Sequence, residues 1–260
     1  MQLNQAIAKA CGIALLGLCS FNAYGASITG LVNINASVGV TAFAIDFYSD
    51  TGQACGIASP LAAGCFGINT PVSGSFSSLL LGYQAGNTIK DLLGPPITGD
   101  IPVSQFMTFA NGITFDLTRV LPGTGPICDI SLGNNPGYTC TPVVGGFLSP
   151  FTLQNSGAGP GGTATNSAVS FNIEVLGYTG LASTGTSTYN GAFSTQSAGQ
   201  NIAQILTMIG SGGAVVASYS ANFNGAPNNQ VPEPGTLGTL GLGLAALIIG
   251  SIRKKSASVR

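Results

Sequence analysis

Few side chains in this sequence could carry acid–base or nucleophilic chemistry. The chain has no histidine, which excludes Ser-His-Asp and Cys-His catalysis and removes the commonest metal ligand. Four carboxylates remain as candidates for the paired acids of a glycosidase: Asp46, Asp50, Asp116 and Glu174. The alternation of apolar and polar residues places Asp116 and Glu174 on the solvent side of predicted strands. We therefore predict no catalytic residue and no cofactor.

Calcium is the metal that the acidic residues near a predicted turn could attract. Asp46 and Asp50 lie close to the turn at residues 50–52, and Ca²⁺ prefers oxygen ligands. The Asp-x-Asp-x-Asp-Gly pattern of a calcium loop does not occur in the sequence. We predict no metal site.

Tyrosines are the second kind of candidate, because an aromatic ring can stack on a sugar. Six of them lie beyond the N-terminal region: Tyr48, Tyr83, Tyr138, Tyr178, Tyr189 and Tyr219. The chain has no tryptophan, and the tyrosines do not cluster in the sequence. We interpret them as core or ordinary surface residues.

Four cysteines, Cys55, Cys65, Cys128 and Cys140, remain after the N-terminal region. An even number in an exported protein predicts disulfides, and four cysteines allow three connectivities. Because each neighbouring pair brackets a loop rich in glycine or proline, we favour Cys55–Cys65 and Cys128–Cys140. Zinc is the poorer alternative, since neither pair has the spacing of a zinc knuckle.

The last 30 residues combine a proline-rich motif, an apolar run and a basic end. The motif is Val231-Pro232-Glu233-Pro234, and residues 235–252 follow without a charge. As a helix those residues would span about 27 Å, close to the roughly 30 Å hydrocarbon core of a bilayer. The cluster Arg253, Lys254 and Lys255 opens the basic tail 253–260 and would stay on the cytoplasmic side. The pattern predicts a transmembrane helix over 235–252; the alternative is a buried helix of a soluble protein.

This tripartite tail, residues 231–260, resembles the PEP-CTERM sorting signal. The resemblance rests on Pro232-Glu233-Pro234, the apolar run and the basic cluster, in that order at the C-terminus. It implies recognition by an exosortase, a membrane-embedded thiol transpeptidase or protease that cleaves near the motif. It also implies a Gram-negative cell and often an exopolysaccharide matrix.

The N-terminus is typical of a secretory signal peptide, residues 1–26. Lys9 supplies the positive charge, residues 10–19 form the apolar region, and residues 23–25 fit a small-x-small cleavage site. Cys19 raises the alternative of a lipoprotein, but Leu18 occupies the place where a lipobox needs a small residue.

The composition between the two ends favours an extracytoplasmic sheet protein. Only 6% of all residues are charged, against about 25% in ordinary soluble proteins. Residues 27–230 contain two basic and seven acidic side chains, a net charge of −5, which excludes the basic footprint of a nucleic-acid-binding protein.

Hydrophobic periodicity predicts about nine or ten strands and one helix. Residues 171–175 and 215–223 alternate most clearly, and Asn111-Gly112 predicts a hairpin turn. Residues 200–209 carry apolar side chains at helical spacing. Residues 88–93 are interpreted as a helical turn, and 155–162 as a flexible loop.

These patterns predict an all-β fold for residues 27–224, an antiparallel β-sandwich with one short helix, with a β-solenoid as the alternative. Residues 225–230 would link this domain to the sorting signal. We expect a non-enzymatic protein of the envelope or exopolysaccharide matrix, first anchored in the inner membrane with its domain in the periplasm, then released to the cell surface or matrix. The expected partners are an exosortase, the membrane and, as a further candidate, exopolysaccharide. A polysaccharide hydrolase or lyase and a carbohydrate-binding module are the alternatives.

Overall fold

The structure, a computed structural model, describes residues 28–48, 63–94, 97–180 and 186–226. The predicted signal peptide 1–26, Asp50, Cys55 and the sorting segment 231–260 lie outside these residues. No helix among the described residues is long and apolar enough to cross a membrane. The span predicted over 235–252 falls in the part that is not described.

The described residues form fourteen β-strands and one α-helix. In chain order the strands are β1 Gly30–Val40, β2 Ala44–Tyr48, β3 Ala63–Asn69, β4 Gly82–Lys90, β5 Leu92–Leu93, β6 Gly99–Thr108, β7 Ile113–Val120, β8 Thr139–Cys140, β9 Val143–Val144, β10 Phe147–Leu148, β11 Thr152–Ala158, β12 Ala164–Thr179, β13 Ser187–Ser197 and β14 Val215–Ala226. The helix, α1, is Ile202–Gly210.

Eight of the strands form one antiparallel sheet that closes on itself. The order is β13-β14-β1-β3-β4-β6-β7-β12, and β12 pairs again with β13. The closing pair runs in continuous register from Ser167↔Ser197 to Gly177↔Ser187. The pair β1–β14 is equally long, from Gly30↔Gly225 to Val40↔Val215.

The prediction of a mostly β fold with one helix is confirmed, but the closed, barrel-like sheet is not clearly a sandwich. In a sandwich two separate sheets pack face to face. Here β13 is hydrogen-bonded to both β12 and β14, so one continuous ladder links the two halves of the core. The individual strands are visible as alternating segments in the sequence, whereas this long-range pairing is not.

The long strand β12 also extends the sheet beyond the closed ring. On the edge opposite β13, the C-terminal half of β12 pairs with β7 and its N-terminal half pairs with β11. Strand β11 in turn pairs with β8, next to the disulfide-bonded loop.

The interior of the closed sheet is packed with aromatic rings. Phe171 stacks on Phe193 with ring centroids 4.5 Å apart, and Phe115 lies 4.9 Å from Tyr189. Glycines on neighbouring strands leave room for these rings. A methyl group at Gly225 would lie 2.3 Å from the Tyr189 ring, and one at Gly191 would lie 2.5 Å from Phe223. The sheet therefore closes around large side chains because strand positions such as Gly225 and Gly191 carry no side chain.

Two of the local structure predictions are confirmed and two are wrong in whole or in part. The helix is confirmed as α1, which opens with a capping box between Asn201 and Gln204. The hairpin around Asn111-Gly112 is confirmed as the connection between β6 and β7. The helical turn at 88–93 is wrong, since these residues belong mainly to β4 and β5, and the loop at 155–162 is partly wrong, since β11 extends to Ala158.

Candidate functional site

The candidate acid Asp116 is held in place by neighbouring residues. One of its carboxylate oxygens accepts a hydrogen bond from the Tyr178 hydroxyl at 3.0 Å and from the Gln105 backbone N–H at 2.5 Å. Gln105 has a φ of 51°, a left-handed conformation that costs a non-glycine residue roughly 1–2 kcal/mol. Burial, followed by the hydrogen bond and charge of Asp116, raises the pKa of Tyr178 to about 12. The arrangement indicates a structural role for Asp116.

The two other predicted acids that the structure describes, Glu174 and Asp46, lie on different strands. Glu174 lies on β12 in register with Arg119 of β7, and Arg119 contacts Asp100 at 3.4 Å in an exposed ion pair. Such surface pairs contribute at most about 1 kcal/mol. Asp46 is exposed on β2.

Asp91 is an acidic residue that the sequence did not single out. Its carboxylate accepts a hydrogen bond from the Phe47 backbone N–H at 2.8 Å. Burial raises the pKa of Asp91, the Phe47 hydrogen bond opposes the rise, and the charge of Asp46 adds to it. The sequence pattern predicted a helical turn at 88–93. It could not show that β2 pairs with β5 and so brings Phe47 next to Asp91.

The described residues do not group into a metal site, and half of the candidate tyrosines are buried. No three acidic, histidine or cysteine side chains within the described ranges lie close enough together to hold a metal ion. Tyr178, Tyr189 and Tyr219 are 6% exposed or less, so half of the six candidate tyrosines pack inside the domain instead of presenting a ring to solvent.

The second cysteine pair forms the predicted disulfide. Cys128 and Cys140 are joined with a sequence separation of 12, a loop whose closure is worth roughly 2–3 kcal/mol in the chain-entropy model. Within it the Asp129 carboxylate accepts hydrogen bonds from the Ser131 backbone and hydroxyl, which lower the pKa of Asp129. Cys65 is also disulfide-bonded, and its predicted partner Cys55 lies outside the described residues.

Asn155, on β11, ties this loop to the rest of the domain and was not recognised from the sequence. Its amide nitrogen donates to the backbone oxygens of Gly133 and Asn135 at 2.8 and 2.9 Å. Its amide oxygen accepts from the Ser167 hydroxyl and from the Ile202 backbone N–H at the start of α1. Asn155 is only 2% exposed, and its amide joins the disulfide-bonded loop, β12 and the start of α1 in one buried hydrogen-bond network.

A surface of different character covers the outside of β1, β14, β13 and part of β12. We call it the neutral face. Strands β1, β13 and β14 contain no charged residue. Most outward positions carry short amides or hydroxyls: Asn33, Asn35, Ser37, Ser218, Ser220, Asn222, Asn224, Asn190, Ser194, Ser170 and Asn172. Ala192 and the exposed Val216 are apolar residues that also face outward. An open groove of about 430 Å³ runs across this face.

Cross-strand bonds order the side chains of the neutral face. The Asn222 amide donates to the Asn33 amide oxygen at 2.5 Å, and the Ser194 and Ser220 hydroxyls lie 3.3 Å apart. These residues are paired in register on adjacent strands. The face is therefore a regular array of donors and acceptors.

An apolar cavity opens at the end of the sheet where β1 turns into β2. Its lining includes Val40, Phe43, Phe147, Ile209 and Val215. The volume is about 40 Å³, far below the 300–1,000 Å³ typical of small-molecule sites. It does not have the size of a substrate pocket.

Comparison with known proteins identifies a functional segment outside the described residues. Residues 230–254 match the PEP-CTERM protein-sorting motif, which contains the predicted Val231-Pro232-Glu233-Pro234 and Arg253-Lys254. No curated protein and no solved structure matches the chain. The chain therefore carries a PEP-CTERM sorting motif at its C-terminal end, the signal of an exported protein that an exosortase processes.

Proposed function

We propose that the protein is a non-enzymatic component of the cell envelope or of an exopolysaccharide matrix. The observation that carries the proposal is the sorting motif at residues 230–254, which supports export and membrane-linked processing by an exosortase. The domain would stand in the periplasm while residues 235–252 hold it in the inner membrane. Processing at Pro232-Glu233-Pro234 would then release it to the cell surface or matrix.

The acidic side chains of the domain support a non-enzymatic role. Asp116 is engaged by Tyr178 and Gln105, and Asp129 by Ser131. A retaining or inverting glycosidase needs two carboxyl groups facing one bond, about 5–5.5 Å or 6.5–9.5 Å apart. Acids committed to hydrogen bonds within the fold are poorly suited to that task.

The test follows the C-terminus of the mature protein by mass spectrometry. In cells with an exosortase, we expect a C-terminus close to residues 231–234. In cells without the enzyme, the chain should extend to Arg260. Deleting residues 231–260 should abolish membrane-linked sorting, whereas Ser256→Ala in the basic tail is the matched control and should be processed normally. Unchanged localisation and processing after the deletion would contradict the proposal.

One observation favours the alternative of a polysaccharide hydrolase. Burial raises the pKa of Asp91, and the charge of nearby Asp46 adds to the rise; a carboxyl with a raised pKa is what a general acid requires. Release of reducing sugar from a polysaccharide, lost in both Asp46→Asn and Asp91→Asn but kept in Asp129→Asn, would establish this alternative and overturn the non-enzymatic role.

A further inference from the structure

We propose that the neutral face binds an uncharged, polyhydroxylated polymer, a neutral polysaccharide. The inference rests on the proposed function in one respect: the sorting route delivers the domain to a compartment where such a polymer lies.

The first argument is the distribution of charge around the closed sheet. Charged side chains of the described ring strands occur on β4, β6, β7 and β12. The other arc, β13-β14-β1-β3, has none, and Asp46 of β2, in register with Gly39 of β1, lies at its edge. Glu174 of β12 lies in register with Asn190 and marks the boundary of the neutral face. A surface that is merely solvated normally mixes both signs of charge, so this arc suits a neutral partner better than a charged one.

The second argument is the chemistry of the side chains. An amide offers two donors and two acceptor lone pairs, and a hydroxyl offers one donor and two lone pairs. The hydroxyls of a sugar have the same dual character. Adjacent strands repeat the groups about every 4.8 Å, and residues two apart on one strand repeat them about every 6.6 Å. Short side chains lose little rotamer entropy when they bind, in contrast to lysine or glutamate.

The neutral face lacks the residues that dominate other kinds of interface. The cores of protein–protein interfaces are enriched in aromatic residues, methionine and arginine, and none of these stands among its outward positions. Nucleic acid and acidic polysaccharide would need basic side chains, and Lys90 and Arg119 lie on the other arc, on β4 and β7.

Binding of this kind is multivalent. A single neutral hydrogen bond contributes about 0.5–1.5 kcal/mol, so one sugar unit would bind weakly. A polymer that crosses several strands of the face would engage many groups at once and gain avidity. Because no ion pairs form, affinity should be insensitive to salt.

The experiment measures binding of the full chain, in a sugar-free detergent, to immobilised polysaccharides. The neutral probes are dextran, galactomannan and laminarin, and the anionic probes are dextran sulfate and alginate. We expect retention on at least one neutral probe, unchanged from low salt to high salt, and none on dextran sulfate, which differs from dextran only by its charged groups.

Two variants assign the binding to the neutral face. Asn222→Asp and Asn172→Asp keep side-chain size but replace amide donors with a carboxylate, and each should weaken binding about tenfold, the equivalent of one lost hydrogen bond. Asn134→Asp, in the exposed loop between Cys128 and Cys140, is the matched control and should bind as the wild type. Urea unfolding of every variant separates lost binding from lost folding.

Three outcomes would overturn the inference: retention on none of the neutral probes, equal retention on dextran and dextran sulfate, or unchanged binding in both face variants. Sedimentation velocity provides a further check, because self-association that Asn222→Asp abolishes would make the face a protein–protein interface instead. The mass of the mature C-terminus in the same cells reports sorting, so failure of this inference is distinguishable from failure of the proposed function.

Discussion

Closure of the sheet depends on glycines that face inward, and Gly225→Ala tests this directly. Gly225 lies opposite Tyr189 in the β13–β14 ladder. A methyl group there would lie 2.3 Å from two ring atoms of Tyr189, whereas carbon atoms in contact normally stand about 3.5–4.0 Å apart. The Tyr189 ring cannot move aside freely because it is fully buried. The centroids of the Phe115 and Phe76 rings lie 4.9 Å and 5.8 Å from its own.

The expected cost is that of overpacking a tight core, about 1–3 kcal/mol. For a domain of this size such a loss lowers the melting temperature by roughly 2–12 °C. The assay is urea and thermal unfolding of the full chain, followed by near-UV circular dichroism of the core tyrosines. Because Gly225 faces the interior, binding at the neutral face should remain in the fraction that is folded.

Gly210→Ala is the matched control. Gly210 is the last residue of α1, no atom lies within 4 Å of the added methyl group, and its φ is not positive. Alanine there should leave stability unchanged or raise it by about 0.4–1 kcal/mol. If Gly225→Ala unfolds at the same urea concentration as the wild type, or if both variants shift equally, the reasoning that links inward glycines to ring packing is refuted.

Three further predictions concern single side chains. Asp116→Asn should lower the pKa of Tyr178 from about 12 but leave it above 10.0, since burial is the larger cause of its rise; a tyrosinate absorbance titration measures it, and an unchanged pKa would argue against the contact. Because the pKa of Asp91 is raised above its usual 3.8, protonation favours the folded state, so the wild type should gain stability over Asp91→Asn as pH falls from neutral to about 4 and level off below that. Urea unfolding at a series of pH values tests this, and a gain with rising pH would reverse the sign. Asn155→Ala removes the acceptor of the buried Ile202 N–H and three further hydrogen bonds, and it should cost on the order of 3 kcal/mol; a loss below 1 kcal/mol in urea unfolding would show that water replaces the amide.

The parts of the fold that were predictable from sequence are those set by neighbouring residues. Helix α1 follows from apolar side chains at helical spacing, and the β6–β7 hairpin follows from Asn111-Gly112. The sorting motif was equally visible, because its order of prolines, apolar run and basic residues lies within 25 residues, 230–254.

Features that depend on distant residues were not predictable in this way. The pairing of β12 with β13 and of β13 with β14 decides between a sandwich and a closed sheet, yet each strand alone shows the same alternation in both folds. Asn155 stood in a stretch interpreted as flexible, and its role appears only when Gly133, Ser167 and Ile202 meet around it. The neutral face could not be predicted either, because its residues come from four separate strands whose pairing the sequence does not show.

The closed topology separates the charged ring strands of this chain from the uncharged ones. If the few charged residues were scattered over the whole surface, they would reflect only an unusual composition. Because the ring order places β13, β14, β1 and β3 side by side, the uncharged strands form one continuous arc while the charged ring strands β4, β6, β7 and β12 form the other. Strand β14 is the last strand of the uncharged arc in chain order. It ends at Ala226, a few residues before the sorting motif begins at residue 230. The sequence thus proceeds directly from the proposed binding surface to the signal that delivers it, and the two can be altered independently by substitution.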